Sequence, residues 1–252
     1  MKYIDLNSDL GESFGRYTVG NDDEIIRLVS SVNVACGFHA SDPSVMEKTV
    51  MLAKKRGVSI GAHPGFNDLQ GFGRRKMSLS SEEIYALIIY QVGALVGFCK
   101  AHSVRMTHVK PHGALYNMAV NDYKTANAIV RAIKACAPES GILAPYGSKM
   151  IECAKEYDLK YACEFFADRA YEDDGSLVSR TKAGSMIENA ELVAERVLTM
   201  LNTGTVLSTN DKTIKMKCDS VCVHGDNKKA IDCVNKIRSF LFDKNIMIKS
   251  CW

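Results

Sequence analysis

The chain has little of what would assign it to several common functional classes. Its 252 residues carry a formal charge of only +3, and no block of lysine and arginine resembles a nucleic-acid-binding arm. The basic run Lys54-Lys55-Arg56 reads as the solvated end of a helix, where cations suit the dipole. No apolar run reads as long enough to span a membrane. The first residues, Met1-Lys2-Tyr3-Ile4-Asp5-Leu6-Asn7, lack the apolar centre of a signal peptide. Nine cysteines are scattered through apolar segments, and no pair has the spacing of a zinc ribbon or redox motif; Cys218 and Cys222 stand four apart on a strand candidate. Reduced thiols in a cytoplasmic protein are the expectation, with packing the expected role even for Cys36 beside a candidate site. A P-loop is missing too: the glycines of residues 68–75 lack the Lys-Ser/Thr ending, and Gly141…Gly147-Ser148-Lys149 has the wrong spacing. With no linker, low-complexity tract or internal repeat, one domain over residues 1–252 is expected.

What is present is a soluble-type composition, 46% hydrophobic and 24% charged, on a chain long enough to bury a large core. Apolar periodicity predicts strands at 3–7, 31–36, 58–62, 105–110, 141–144, 161–166 and 220–224. Between them it predicts helices at 23–29, 43–55, 81–101, 123–135, 148–157, 187–201 and 227–243. Asp42-Pro43 and Ser80-Ser81-Glu82-Glu83 carry helix-start chemistry, Gly57 and Gly204 helix-stop chemistry, and Asp226 stands where it would cap the last helix. Strand–helix repetition points to a parallel sheet, and both an open doubly wound sheet and a closed barrel satisfy it. Polar residues follow strands one, two, three, four, six and seven. Loops that converge on one mouth explain that spread better than a single switch point, so a TIM-like (β/α) barrel of about seven strands is expected.

The densest chemistry lies in residues 108–117, HVKPHGALYN, where Pro111 and Gly113 argue against a continuous helix or strand. His108, Lys110, His112 and Tyr116 crowd a strand end. His39, His63 and His224 recur after other strands, each among small residues, and a shared polar site follows; only His102 belongs to a helix. On the first strand Asp5, Asn7 and Asp9 alternate onto one face, followed by Glu12. They could bind a metal, serve as acid or base, hold an ammonium group, or simply cap the next helix. The loop 68–75, with Gly71, Gly73, Arg74 and Arg75, is either an anion grip or purely structural. Asp168-Arg169 offers a charge pair whose worth depends on burial. Asp9, His63, Lys110 and His112 are the catalytic candidates. Asn7, Glu12, His39, Arg74, Tyr116, Asp168, Arg169 and His224 are the binding candidates. The metal ligands are left open.

These segments together resemble the LamB/YcsF family. The matching stretches are 5–15, 31–43, 61–75, 108–117, 164–171 with Gly175 and Leu177, and 222–226, and the runs HVKPHGALYN, GFGRR and EFFADRAY are specific. Ser8, Val32 and Ser41 depart from the cysteine, alanine and glycine usual at those places, so no thiol nucleophile is offered by the first strand. The resemblance implies a barrel related to the glycoside hydrolase/deacetylase superfamily. It also implies a hydrolase of cyclic amides: the A component of an ATP-hydrolysing 5-oxoprolinase, which turns 5-oxo-L-proline (pyroglutamate) into L-glutamate with partner subunits B and C. ATP would then be a co-substrate, held by this chain or mainly by a partner, and a divalent metal is compatible. Two other readings stay open: a metal-dependent deacetylase or sugar hydrolase, and a non-catalytic substrate-binding component. Neither nucleic acid nor membrane is an expected partner.

Overall fold

The computed structural model describes residues 2–224 and 228–252; Asp226 lies outside them. In chain order the strands are β1 (Tyr3–Leu10), β2 (Ser31–Ala35), β3 (Ser59–His63), β4 (Met106–Val109), β5 (Gly141–Pro145), β6 (Tyr161–Phe166), β7 (Thr205–Leu207), β8 (Thr213–Lys215), β9 (Ser220–Cys222) and β10 (Met247–Ile248). The helices are α1 (Asp22–Ile25), α2 (Pro43–Arg56), α3 (Ser81–Ala101), α4 (Gly113–Asn121), α5 (Tyr123–Cys136), α6 (Lys149–Glu156), α7 (Ala190–Thr203) and α8 (Lys228–Asp243).

Among the described residues, β1 to β6 and β9 form a closed ring of seven parallel strands. The ring shuts where β1 pairs with β2 on one side, Asp9 opposite Asn33, and with β9 on the other, Asp5 opposite Ser220. An open doubly wound sheet is thereby excluded. All seven strands fall where the apolar pattern puts them. β10 adds to the start of β1, and β7 and β8 make a small antiparallel hairpin; both are too short for a period to register.

Alternation along each strand sorts the residues. Leu6, Leu10, Val32, Val34, Ile60 and Val109 are fully buried in the main apolar cluster, which is completed by helix residues such as Val50, Ile88, Val92 and Ile129. Burying such side chains contributes about 1.5–3 kcal/mol each. The other face of the strands fills the barrel with polar groups: Asp5, Asn7, Ser31, Asn33, His108, Glu164 and Ser220 are all buried.

Local signals set the helix ends. Asp42 accepts from the Ser44 and Val45 amides, the Ser80–Glu83 capping box is complete, and Gly57 and Gly204 adopt the left-handed C-cap. One expectation needs correction. α3 has 21 residues and a mean hydropathy of 1.6 over its most apolar window, long and apolar enough by composition to cross a membrane. Its stripe Ile84, Leu87, Ile88, Gln91, Val92, Leu95 and Cys99 instead faces inward, and the helix packs between α2 and α5. No continuous element runs through 108–117, since β4 ends at Val109 and α4 starts at Gly113 with His112 as N-cap; α4 itself is a helix that the apolar period does not mark.

Candidate functional site

The barrel interior is layered. At the bottom, Asp5 accepts from Ser30, Ser31 and Ser220, and burial raises its pKa despite those bonds. Above it, Asn33 donates to Asn7 at 2.9 Å and to Asp9 at 2.8 Å, while its oxygen faces the His108 Nε2 at 2.8 Å. His108 stacks on Trp252, with ring centres 4.7 Å apart, and burial first of all pulls it down to about 3. Gly61 leaves it room, since a Cβ there would collide with the His108 ring. His108 is therefore a neutral structural residue beneath the site. Ser8 alternates with Asn7 and Asp9 and so faces out of the barrel; its hydroxyl is buried without a hydrogen-bond partner. A cysteine at that position would point away from the mouth as well.

At the mouth, Lys110 is the hub. Its ammonium lies 2.8 Å from Glu164, 3.0 Å from Asp9, 3.3 Å from the Cys222 sulfur and 5.2 Å from the centre of the Phe166 ring. Burial opposes its charge, yet Asp9, Cys222 and Glu164 together hold its pKa well above the usual lysine range. Asp9 is the mirror image: burial would raise it, and the charges of His63 and Lys110 bring it well below the usual carboxylate range. The second Glu164 oxygen accepts from the Tyr116 hydroxyl at 2.6 Å, and burial, then Glu164, pushes that phenol well up. These groups come from β1, β4, α4, β6 and β9, so only closure of the ring assembles them.

Three imidazoles pack beside this array. His63, at the end of β3, places Nδ1 2.7 Å from the Lys110 carbonyl oxygen and Nε2 3.2 Å from Asp9. The His112 Nε2 meets the Phe72 carbonyl oxygen at 2.8 Å, and its Nδ1 faces the His63 Nε2 at 2.9 Å. His39 stacks on His112 at 3.7 Å, with neither ring nitrogen hydrogen-bonded, although its Nε2 stands 3.4 Å from Glu12. Burial holds both His39 and His112 well below the usual histidine range. One donor atom from each of Glu12, His39, His63 and His112 lies within 4.8 Å of the others, a set compatible with a divalent metal. The 68–75 loop braces the cluster. A Cβ on Gly73, whose φ is +63°, would stand 2.7 Å from His39 and 2.9 Å from His112. Asp68 pairs with Arg75 inside the loop, whereas exposed Arg74 lies over the Phe72 ring at 5.2 Å.

The opposite rim corrects one expectation. Asp168 pairs with His224 at 2.6 Å and does not pair with Arg169. Neighbouring residues point to opposite sides, and Arg169 is buried with its guanidinium on the Val178 and Ser185 carbonyls, bracing the segment before α7. The cation beside His224 is Arg180, 3.4 Å from its Nε2. Burial pulls His224 down, but the Asp168 carboxylate outweighs it and the net shift is upward. A cavity of about 220 Å³ opens beside this pair, walled by Ile187, Val193, Val223, Cys233 and Ile237.

The fold thus gathers Asn7, Asp9, Glu12, His39, His63, Lys110, His112 and Tyr116 around one opening, with Arg74, Asp168 and His224 on its rim. Of the five histidines expected to share the site, three form the cluster, His224 stands across from them, and His108 lies below. Glu164, Asn33, Cys222 and Arg180 escape sequence reasoning. Glu164 has the one available signal, an acid on the inward phase of a buried strand, where a charge needs a partner.

The geometry has counterparts. The LamB/YcsF family model matches residues 4–251. A protein of Clostridium beijerinckii that bears the name of the 5-oxoprolinase A component is 55% identical over 98% of this chain and 97% of its own length. One of the same name from Pyrococcus abyssi is 48% identical over 97% and 96%. The crystal structure of a lactam utilization protein from Thermus thermophilus superposes with a TM-score of 0.92 at 42% identity, covering 99% of both chains. With the match running from the first barrel strand to the residue before the closing tryptophan, the chain belongs to the LamB/YcsF family.

Proposed function

We propose that this chain is the A component of an ATP-dependent 5-oxoprolinase that opens 5-oxo-L-proline to L-glutamate in a complex with subunits B and C. The observation that carries the reading is the buried Asp9–Lys110–Glu164 array set against His63 and His112 at one mouth. The names borne by its relatives supply the substrate class.

A five-membered lactam is an unreactive amide. Transfer of a phosphoryl group from ATP to its oxygen makes the ring carbon a better electrophile. Water then attacks that carbon, the C–N bond breaks as the nitrogen takes a proton, and a second water cleaves the resulting acyl phosphate to the carboxylate and free phosphate. The attack needs a base, the nitrogen an acid, and the substrate carboxylate a cation. In this reading Asp9 or His112 is the base, His63 or Lys110 stabilises developing charge, and Tyr116 and Glu164 hold Lys110 in place. Arg74 or Arg180 is assigned to grip the substrate carboxylate, whereas the Arg169 guanidinium is held by the Val178 and Ser185 carbonyls. The absence of a P-loop in the sequence favours ATP being held mainly by a partner. The nine free thiols suit a cytoplasmic setting.

The test is reconstitution. Turnover of 5-oxoproline with release of ADP is expected only when the chain is combined with subunits B and C. Asp9→Asn and His112→Gln are each expected to lower it at least about 100-fold. Near-normal turnover in both variants would reject the assignment, and would favour a component that only binds substrate.

A further inference from the structure

We propose that the mouth holds one divalent cation of the Zn2+ or Co2+ class, bound by the His63 Nε2, the His112 Nδ1 and the carboxylates of Glu12 and Asp9, with His39 alongside. A carbonyl oxygen can only accept, so the His63 Nδ1, 2.7 Å from the Lys110 carbonyl, must carry a hydrogen. The His112 Nε2, 2.8 Å from the Phe72 carbonyl, must carry one too. If both rings are neutral, the two remaining nitrogens present bare lone pairs to each other at 2.9 Å. That contact is repulsive unless something positive lies between them.

A metal ligand of this kind commonly anchors its outer N–H on a backbone carbonyl, and both rings do so here. Two further acceptors face the same space: the Asp9 Oδ2 at 3.2 Å from His63, and the Glu12 Oε1 at 3.7 Å from His112. Nitrogens sharing a tetrahedral ion at about 2.0–2.1 Å stand about 3.4 Å apart, so the rings need to part by only about half an ångström. Two imidazoles with two carboxylates suit a borderline ion better than Mg2+ or Ca2+, which prefer all-oxygen shells.

An independent observation points the same way. His39 is fully buried, and neither of its ring nitrogens makes a hydrogen bond. An orphaned buried imidazole beside a carboxylate is costly without a ligand. Its ring stacks on that of His112 within 3°, and one of its nitrogens lies within 4.8 Å of the Glu12, His63 and His112 donor atoms.

The proposal does not depend on the lactam reading: with an ion bound, Asp9, His63 and His112 would be its ligands and not base or stabiliser, and ion binding is tested without substrate, ATP or partner subunits. The full chain, prepared without a metal-affinity tag and stripped with chelator, is titrated with CoCl2. The expected result is one equivalent bound per chain at micromolar concentration, with visible absorption of low-symmetry Co2+ that ZnCl2 displaces. His63→Gln and His112→Gln should each weaken binding at least about 100-fold. The surface variant His102→Gln should leave it unchanged. Because a site variant can misfold, the wild-type titration decides by itself. If the stripped protein takes up neither Co2+ nor Zn2+ at stoichiometric level, the two rings share a proton and the proposal fails. Equal loss of binding in His102→Gln overturns it too, as does retained binding in a folded His63→Gln/His112→Gln double variant.

Discussion

Replacing Lys110 with methionine removes the one ammonium that touches both Asp9 and Glu164, at 3.0 and 2.8 Å. Methionine approximates the volume, so the change isolates charge from packing. Glu164 is buried and Asp9 partly so. Removing one partner of a buried pair costs about 3–5 kcal/mol, because it strands the other charge. For a chain of this size each kcal/mol lowers Tm by about 2–4 °C, which gives a loss of roughly 6–20 °C. Stranded carboxylates escape by taking up protons. The deficit of Lys110→Met relative to wild type should therefore be largest near pH 8 and shrink toward pH 5.5. Adding Glu164→Gln should return at least about 1 kcal/mol, since the amide can still accept from Tyr116 and needs no counter-charge. Urea unfolding followed by circular dichroism at both pH values reads all three. A cost below about 1 kcal/mol that is independent of pH would show that Lys110 does not bear the buried charge.

Other consequences follow from the same coordinates. The Asp168–His224 pair combines a lowered carboxyl with a raised imidazole. Its contribution is therefore complete below the unfolded histidine value and above the unfolded aspartate value. It is lost as pH rises through the raised His224 value, and again as pH falls through the lowered Asp168 value. Asp168→Asn should move His224 downward in an NMR titration, and remove about 2 kcal/mol of stability near pH 6 but little near pH 9; equal losses at both would contradict the pairing. Gly73→Ala must place a Cβ against His39 and His112 at a φ of +63°, so a loss of at least about 1–2 kcal/mol in chemical denaturation is expected. Ser41 holds a φ of +76°, and glycine there should stabilise by roughly 0.5–1 kcal/mol in the same assay. Ser8→Ala deletes a buried hydroxyl that makes no bond, so thermal melts should show no loss.

Much of this molecule is written in its local chemistry. Seven strands are legible because their outward positions are mostly apolar, and α2 and α3 because Asp42 and Ser80 announce their starts. Asp9, His63, Lys110 and His112 are legible as candidates because polar side chains at strand ends need a reason. Ser41 holds a left-handed backbone that favours glycine. Other features depend on distance in the chain. That Asp5 is sealed under serines while Asp9 faces the mouth follows from depth in the barrel, which alternation along one strand cannot reveal. Glu164 counts because Lys110 and Tyr116 arrive from elsewhere, and Arg169 fails to count because two carbonyls of the 178–185 segment reach it first.

The sequence by itself determined the period, the caps and the inventory of ionisable groups, since these arise between residues a few positions apart. Only the tertiary structure decided which of those groups meet. A 2.9 Å contact between His63 and His112 depends on the shear and closure of seven strands, and burial then sets each group's charge through what happens to surround it.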